Sequence, residues 1–532
     1  MYPARRALAG LSCGLAIVIL SACSSKGGSE GQILTGLVSA EMPFAGARVT
    51  VLDATGQTRT AQADERGVYR VDTSGLVAPL LVSAIEAGSN TNCRYNATLR
   101  ARCMASVLTE LERHDNVANV NPLTDRIVSD VAVSLGFQGP QQLVESGKAA
   151  GIREEAVELA RRESLAGFSA ALKAAGVKNV KRFDAVSIST ADGLQGLGAV
   201  LEVVNHNRNY DNPSSESGHT VLTDISFRPI VGLVGKGPYE PLDYPRAKAE
   251  LAAIQGAKAR VLVVGDSTAA TYERERLPRM GWGQVFEARF RDDAGVKVLN
   301  GARSGRSSKD FFMGGWYQQM ARFMKPGDLV LINHGHNDQN CDGSKKERGP
   351  ADVAGLCTYP DDIAGKPQFP EGKPEMSFHN SLQRYVDMAR AAGATPVLLT
   401  PTTRVWNASR KEGFPVVHQH LTQQNEAGGF AYTGDYSRTI GNTAKAAGVP
   451  LIDLEAKTIA FANAHVADWK DYWLAIGDFK AYPYYATQSS GTQAKPDTTH
   501  FQQKGAEAVA AMVADGIRET PALREWAERL KP

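Results

Sequence analysis

The chain has 532 residues, 43% of them hydrophobic and 22% charged, with 59 basic side chains against 57 acidic ones. Arg5 and Arg6 fall in an N-terminal leader; without them the charges balance, and a formally neutral protein has no electrostatic case for binding nucleic acid. No phosphate-cradling glycine loop of the Walker or dinucleotide kind occurs, and no cofactor is implied.

Arg5-Arg6 precede an apolar stretch from Ala7 to Leu20 that closes in Leu20-Ser21-Ala22-Cys23. A charged start, a short apolar run and small residues before a cleavage point predict a secretory leader over 1–22, too short to span a bilayer permanently. The Leu-x-x-Cys ending resembles the bacterial lipobox. That resemblance implies a lipidated Cys23 as the first mature residue and a membrane-anchored protein, with Ser24 in place of Asp implying the outer membrane of the cell envelope. A plain secretory leader with an incidental Cys23 is the alternative. Residues 23–31, rich in Gly and Ser, form a flexible tether.

Period-two segments follow at 33–38, 47–51, 67–71 and 80–84, punctuated by Pro43, Gly46, Asp53, Gly56, Asp64, Gly67 and Gly75. Short alternating strands at this spacing predict a small β-sandwich over 32–105. Ala45-Gly46-Ala47-x-Val49-x-Val51 followed by Asp64-x-x-Gly67-x-Tyr69 resembles carboxypeptidase-regulatory or prealbumin-like domains, which implies a spacer or interaction module. From Pro122 the period changes. Leu123, Ile127, Val131 and Leu135 share one helical face, Val157, Leu165, Phe168 and Leu172 suggest a second helix, and Asn121 stands where a cap belongs, so 106–204 reads as helical. The polar run from Asn205 to Ser217 reads as a linker or long loop within an ambiguous 205–255 segment, with a strand or two expected at 220–234 packing back on the N-terminal domain.

Residues 256–532 alternate strands at 260–265, 296–299, 328–333, 395–400 and 449–453 with helices at 282–292, 315–324, 378–392, 435–447 and 502–515. This order predicts an α/β fold with a doubly wound parallel sheet, in which ligands bind where strand carboxyl ends converge. Three of those ends carry polar chemistry: Gly265-Asp266-Ser267-Thr268, Asn300 to Ser307, and Asn333-His334-Gly335-His336-Asn337-Asp338. Asp497-Thr498-Thr499-His500 arrives near the chain end. A serine hydroxyl needs a histidine to take its proton, and the histidine needs an acid to fix its tautomer; Ser267, His500 and Asp497 supply those roles. Each piece alone has a plainer reading as a turn or a helix cap, with Asp497 capping the helix expected from Gln502. Together, in strand-end positions and in this order, they point to a serine hydrolase.

Gly265-Asp266-Ser267-Thr268, Ser304-Gly305-Arg306-Ser307, Gly335-His336-Asn337-Asp338 and Asp497-Thr498-Thr499-His500 resemble the four blocks of the GDSL or SGNH hydrolases, over about 258–516. Thr268 and the Arg-Ser after Gly305 are most similar to the rhamnogalacturonan acetylesterase branch. The resemblance implies a flavodoxin-like SGNH fold with nucleophile Ser267, base His500, orienting acid Asp497, and an oxyanion hole from the N–H groups of Ser267 and Gly305 and the Asn337 amide. It further implies hydrolysis of acetyl or other small acyl esters on a carbohydrate such as a pectin-like polysaccharide. Esterase or lipase action on lipid-like or aryl esters is the alternative, as is a surface glycan-binding lipoprotein with an inactive hydrolase fold.

Arg306, Arg404 and His336 are candidates for substrate binding, the arginines at the cleft rim against a sugar carboxylate; the plainer reading of Arg303, Arg306 and Arg404 is solvated surface charge. His334-x-His336 and His418-x-His420 place imidazoles on one face of a strand, a spacing that suits zinc, but no metal is expected because Ser267 would then be redundant. Of the cysteines outside the leader and Cys23, Cys93, Cys103, Cys341 and Cys357 permit three pairings; export and closeness in sequence favour 93–103 and 341–357.

Overall fold

The computed structural model describes residues 32–87, 102–188, 196–209, 219–230, 240–341, 356–406, 411–421, 426–427, 430–431 and 433–532. The leader, Cys23 and the tether lie outside the described residues, as does Cys93 with its expected pairing to Cys103.

A five-stranded parallel sheet organises the C-terminal half, in the order Val296–Asn300, Ala259–Gly265, Leu329–Asn333, Thr395–Leu399, Leu451–Ile452. By rank in sequence this is second, first, third, fourth, fifth, the order of flavodoxin-like doubly wound folds. The strands are continuous runs of Val, Leu and Ile because both faces are covered. Val261, Val263, Leu329, Leu331, Val397 and Leu399 enter one core with Trp282, Phe286, Val509 and Val513. Their neighbours Leu262, Val264, Val330, Ile332 and Leu398 enter the other with Phe311, Trp316, Phe378 and Tyr385.

Two expected helices are shortened. The helix expected at 315–324 is shortened to Trp316–Ala321, and an unexpected helix, Ser308–Met313, precedes it, the two separated at Gly314-Gly315, where Gly315 takes a φ of 81°. The helix expected at 282–292 is a single turn, Trp282–Val285, followed by a 3₁₀ turn, Phe286–Arg289. There Trp282, Phe286 and Phe290 stack edge to face at centroid distances of 5.5 and 5.4 Å, so packing of aromatic rings sets the local path.

The N-terminal part is two packed sheets. One is antiparallel, Thr58–Gln62, Arg48–Leu52, Leu80–Ile85, Cys103–Leu108; the other joins Val68–Asp72, Ile33–Leu37 and Asn116–Val117. The strands run past the boundary expected at 105. Residues 103–107 are all buried, because the helix Pro122–Ser134 covers the outer face of that sheet with Ile127, Val128 and Val131 against Ala105 and Val107. Asn121 caps this helix with Thr124 as reciprocal partner, as the sequence suggests.

The polar segment from Asn205 is not a linker in its first part. Val204–Asn209 is a strand paired antiparallel with His219–Asp224, and Asn205, His206, Asn207 and Arg208 are buried. Asp125, fully buried on the capped helix, explains this: it takes His206 Nε2 at 2.8 Å, Arg208 and the Thr220 hydroxyl at 2.6 Å. Burial alone would neutralise Asp125, but the Arg208 charge with His206 holds its carboxyl well below the usual range. On the other edge, Arg208 N donates to Gly314 O at 3.0 Å and Trp316 Nε1 to Arg208 O at 3.2 Å. The hairpin thus seats the N-terminal half on the helices behind the catalytic sheet.

Candidate active site

Two neighbouring strands end level, Gly265 in register with Asn333, and the third ends at Asn300 opposite Val263, so all three loops leave the same edge of the sheet. Gly265 allows this closeness; a Cβ there would lie 2.6 Å from the Asn333 carbonyl oxygen. Asp266 accepts the N–H and the hydroxyl of Thr268 at 2.9 Å each, which turns the chain at Ser267, and the Tyr272 hydroxyl donates to the Ser267 carbonyl at 2.7 Å.

Asp497 does not cap a helix. It lies on the strand Asp497–Phe501, paired with Trp473–Leu474, and the helix Gln503–Glu519 begins after it with no side-chain cap. Its Oδ1 accepts the N–H of Thr499 and of His500 at 3.0 and 3.1 Å, and its Oδ2 lies 2.7 Å from His500 Nδ1. His500 Nε2 is 2.8 Å from Ser267 Oγ. A carboxylate on Nδ1 leaves Nε2 bare to accept the serine proton.

Among the described residues, neither the Ser267 N–H nor the Gly305 N–H has a protein acceptor. Gly305 has a φ of 78°, a conformation that glycine adopts without penalty. The Asn337 amide gives one hydrogen to the Arg306 carbonyl at 3.1 Å, which fixes the side chain and leaves its second hydrogen. Main-chain and amide donors of this kind are the groups that stabilise a tetrahedral oxyanion in acyl transfer.

Burial pushes the pKa of His500 below its ordinary 6.5, and the nearby Arg279 charge pushes the same way while Asp497 opposes both. Burial also works against Asp497, but the charge and hydrogen bond of His500, with Arg279, hold it ionised well below the usual range. A base works only when neutral, and a lowered folded pKa keeps it neutral to more acid pH. The acid limb of kcat/KM for p-nitrophenyl acetate is therefore expected to centre below pH 6.5. A profile with that limb centred above about pH 7 would contradict this assignment of the base.

The expected rim arginines are not where a solvated reading puts them. Arg306 is 3% exposed and ion-paired at 3.0 Å with Asp310 in the helix it precedes, so it braces the Gly305 turn. Arg303 is buried with its guanidinium over Trp316. Arg404 is buried too, its guanidinium donating to Gln339 Oε1 at 3.1 Å and to the His336 carbonyl at 3.4 Å while lying over Trp406, so it ties down the loop that carries Asn337.

The histidine pairs divide. His334 packs between Phe311 and Tyr385, and burial lowers its pKa to about 3. His336 is buried behind Asn337, with Nε2 3.3 Å from the Thr402 hydroxyl and Nδ1 3.5 Å from His420 Nε2. His420 and His418 both grip Glu455, at 2.6 and 2.8 Å. Among the described residues no three His, Cys, Asp or Glu side chains are grouped to hold a metal ion. Cys341 and Cys357 form a disulfide, the expected pairing. Glu455 and Arg279 carry no motif signal, and only the fold brings them to the site.

Residues 263–508 match the profile of the GDSL-like Lipase/Acylhydrolase family. The chain is 31% identical over 264 residues to rhamnogalacturonan acetylesterase RhgT of Bacillus subtilis (strain 168), spanning 49% of this chain and 90% of that protein. It is 30% identical over 261 residues to the protein named "Probable rhamnogalacturonan acetylesterase YesY" of the same organism, spanning 49% of this chain and 92% of that one. A solved acetylxylan esterase from Geobacillus stearothermophilus, a catalytic mutant, aligns with a TM-score of 0.29 and 14% identity over 49% of this chain and 94% of its own. The parallel sheet, the three blocks that follow its strands and the relatives that this half of the chain matches nearly end to end agree: the chain belongs to the GDSL-like lipase/acylhydrolase family and is a carboxylic ester hydrolase.

Proposed function

We propose that this chain is a serine esterase that removes acetyl groups from a carbohydrate, with a pectin-like polysaccharide as its substrate. The observation that carries the reading is the unbroken chain Asp497, His500, Ser267, at 2.7 and 2.8 Å, beside two main-chain N–H groups without acceptors. The carbohydrate is supported by the curated relatives named as rhamnogalacturonan acetylesterases.

His500 Nε2 takes the Ser267 proton as Oγ attacks the acetyl carbonyl, and the N–H groups of Ser267 and Gly305 with the Asn337 amide hold the negative charge on the former carbonyl oxygen. Collapse breaks the bond to the sugar oxygen, which leaves with the proton from His500. Water then gives a proton to His500 and attacks the acetyl-serine; acetate departs and Ser267 regains its proton. Asp497 stays ionised and steadies the imidazolium in both halves.

Acetate release from acetylated pectin and acetylated xylan, set beside hydrolysis of long-chain p-nitrophenyl esters, tests the reading. Turnover of acetyl glycans with little on long acyl chains is expected. The reverse preference would replace it with a lipid esterase.

The same proposal puts the protein on the bacterial outer membrane through a lipid on Cys23, supported by Leu20-Ser21-Ala22-Cys23 and the Gly/Ser tether. A labelled fatty acid is expected to mark the wild type and to be lost in Cys23→Ser. An unlabelled wild type would refute the anchor.

A further inference from the structure

Near the site Arg306 is paired with Asp310 and Arg276 with Glu273 at 3.3 Å, whereas Arg303 and Arg279 each lie on an aromatic ring with a buried Nε that has no hydrogen-bond partner. Arg303 is shut in over Trp316; Arg279 is half-buried beside the strand of His500. Among the described residues it has no ion pair to a carboxylate, and its Nε is buried without a hydrogen-bond partner. A half-buried guanidinium left in that state is costly unless something else satisfies it.

Its position is fixed from two sides. The backbones of Arg279 and Gln502 bridge, and Met280 N donates to Phe501 O at 3.0 Å, so Arg279 is strapped to the strand that carries His500. Its guanidinium lies 4.5 Å over the Tyr272 ring, the ring whose hydroxyl donates to the Ser267 carbonyl. A stacked guanidinium keeps its hydrogens in the plane parallel to the ring, and Arg279 is only half-buried, so its Nη edge can meet a planar anion. Next to it, Arg276 lies over the partly exposed Tyr484, and the buried Tyr485 fixes the Arg276 backbone by donating its hydroxyl to that carbonyl at 2.6 Å.

We propose that Arg279, stacked on Tyr272 beside the Ser267–His500 pair, is a subsite for the carboxylate of a uronic acid unit near the acetylated sugar. This rests on the carbohydrate reading of the site: the planar anion that a glycan ordinarily carries is the C6 carboxylate, and two parallel N–H···O bonds match it. The subsite also bears on the chemistry. The Arg279 charge disfavours the imidazolium that forms on His500 in the transition state, Asp497 opposes it, and a bound carboxylate would offset it further. Acidic glycans then react in a site whose electrostatics they complete, which neutral glycans leave unfinished.

Calorimetric titration separates this from the esterase reading, because it needs no turnover. The full-length protein carrying Ser267→Ala is titrated with trigalacturonate, with neutral xylotriose and with sodium acetate, in low and high salt. Trigalacturonate is expected to bind more tightly than xylotriose and to weaken as salt rises. Adding Arg279→Gln is expected to weaken trigalacturonate about tenfold or more, and Arg279→Lys, which keeps the charge and loses the fork, by an intermediate amount. Xylotriose affinity is expected to change less than about twofold. Trigalacturonate binding that is absent, insensitive to salt, or unchanged by both substitutions overturns the subsite. Acetate bound as tightly as trigalacturonate, with the same dependence on Arg279, would assign the guanidinium to the product instead. Trigalacturonate held through Arg279 by a protein whose wild type releases no acetate would refute the esterase reading and leave the subsite standing.

Discussion

Ser267→Ala, His500→Ala and the double variant are each expected to lower kcat by similar amounts, on the order of 10³-fold or more, with p-nitrophenyl acetate as substrate. The reason is geometric. His500 Nε2 has no proton to take unless Ser267 Oγ is 2.8 Å away, and Ser267 has no base without it, so removing either half removes the same proton transfer. What survives comes from the amide donors and from binding. Losses that multiply in the double variant would show two independent contributions and contradict a shared step.

Asn337→Ala is expected to lower kcat by about 10²–10³ with little change in KM. Its amide is held by the Arg306 carbonyl at 3.1 Å, in a loop tied down by Arg404 and backed by His336, so it arrives pre-aimed. The charge it meets exists only after Ser267 has attacked, hence the effect on kcat. A raised KM with kcat preserved would make Asn337 a ground-state contact and remove it from the oxyanion hole.

The catalytic sheet could be read from sequence because its demands are local. Val261 to Val264 and Leu329 to Ile332 are buried on both faces, which requires unbroken apolar runs, and the polar residues that follow them cannot continue such a strand. Ser267, Gly305 and Asn337 stand out for a related reason, since they lie in the polar loops just past such runs, while His500 is legible only through its Asp-x-x-His spacing from Asp497. Arg306 and Arg404 are buried and not solvated because they meet Asp310 and Gln339, and nothing in an arginine's neighbours along the chain announces a partner in space. The segment from Asn205 is the clearest case. Asn-His-Asn-Arg has the composition of a loop, yet it is a buried strand because Asp125, far away in sequence, holds His206 and Arg208. Arg279 was missed for a related reason; its meaning lies in the partner it lacks.

The central claim, that Ser267 deacetylates a carbohydrate, is tested most directly by acetate release from an acetylated uronate polysaccharide, compared between the wild-type protein and Ser267→Ala. Steady release by the wild type, with release by the variant reduced to the background of the uncatalysed reaction, is the result predicted. Release undiminished in Ser267→Ala, or none from the polysaccharide by a wild type that hydrolyses p-nitrophenyl acetate, would contradict it.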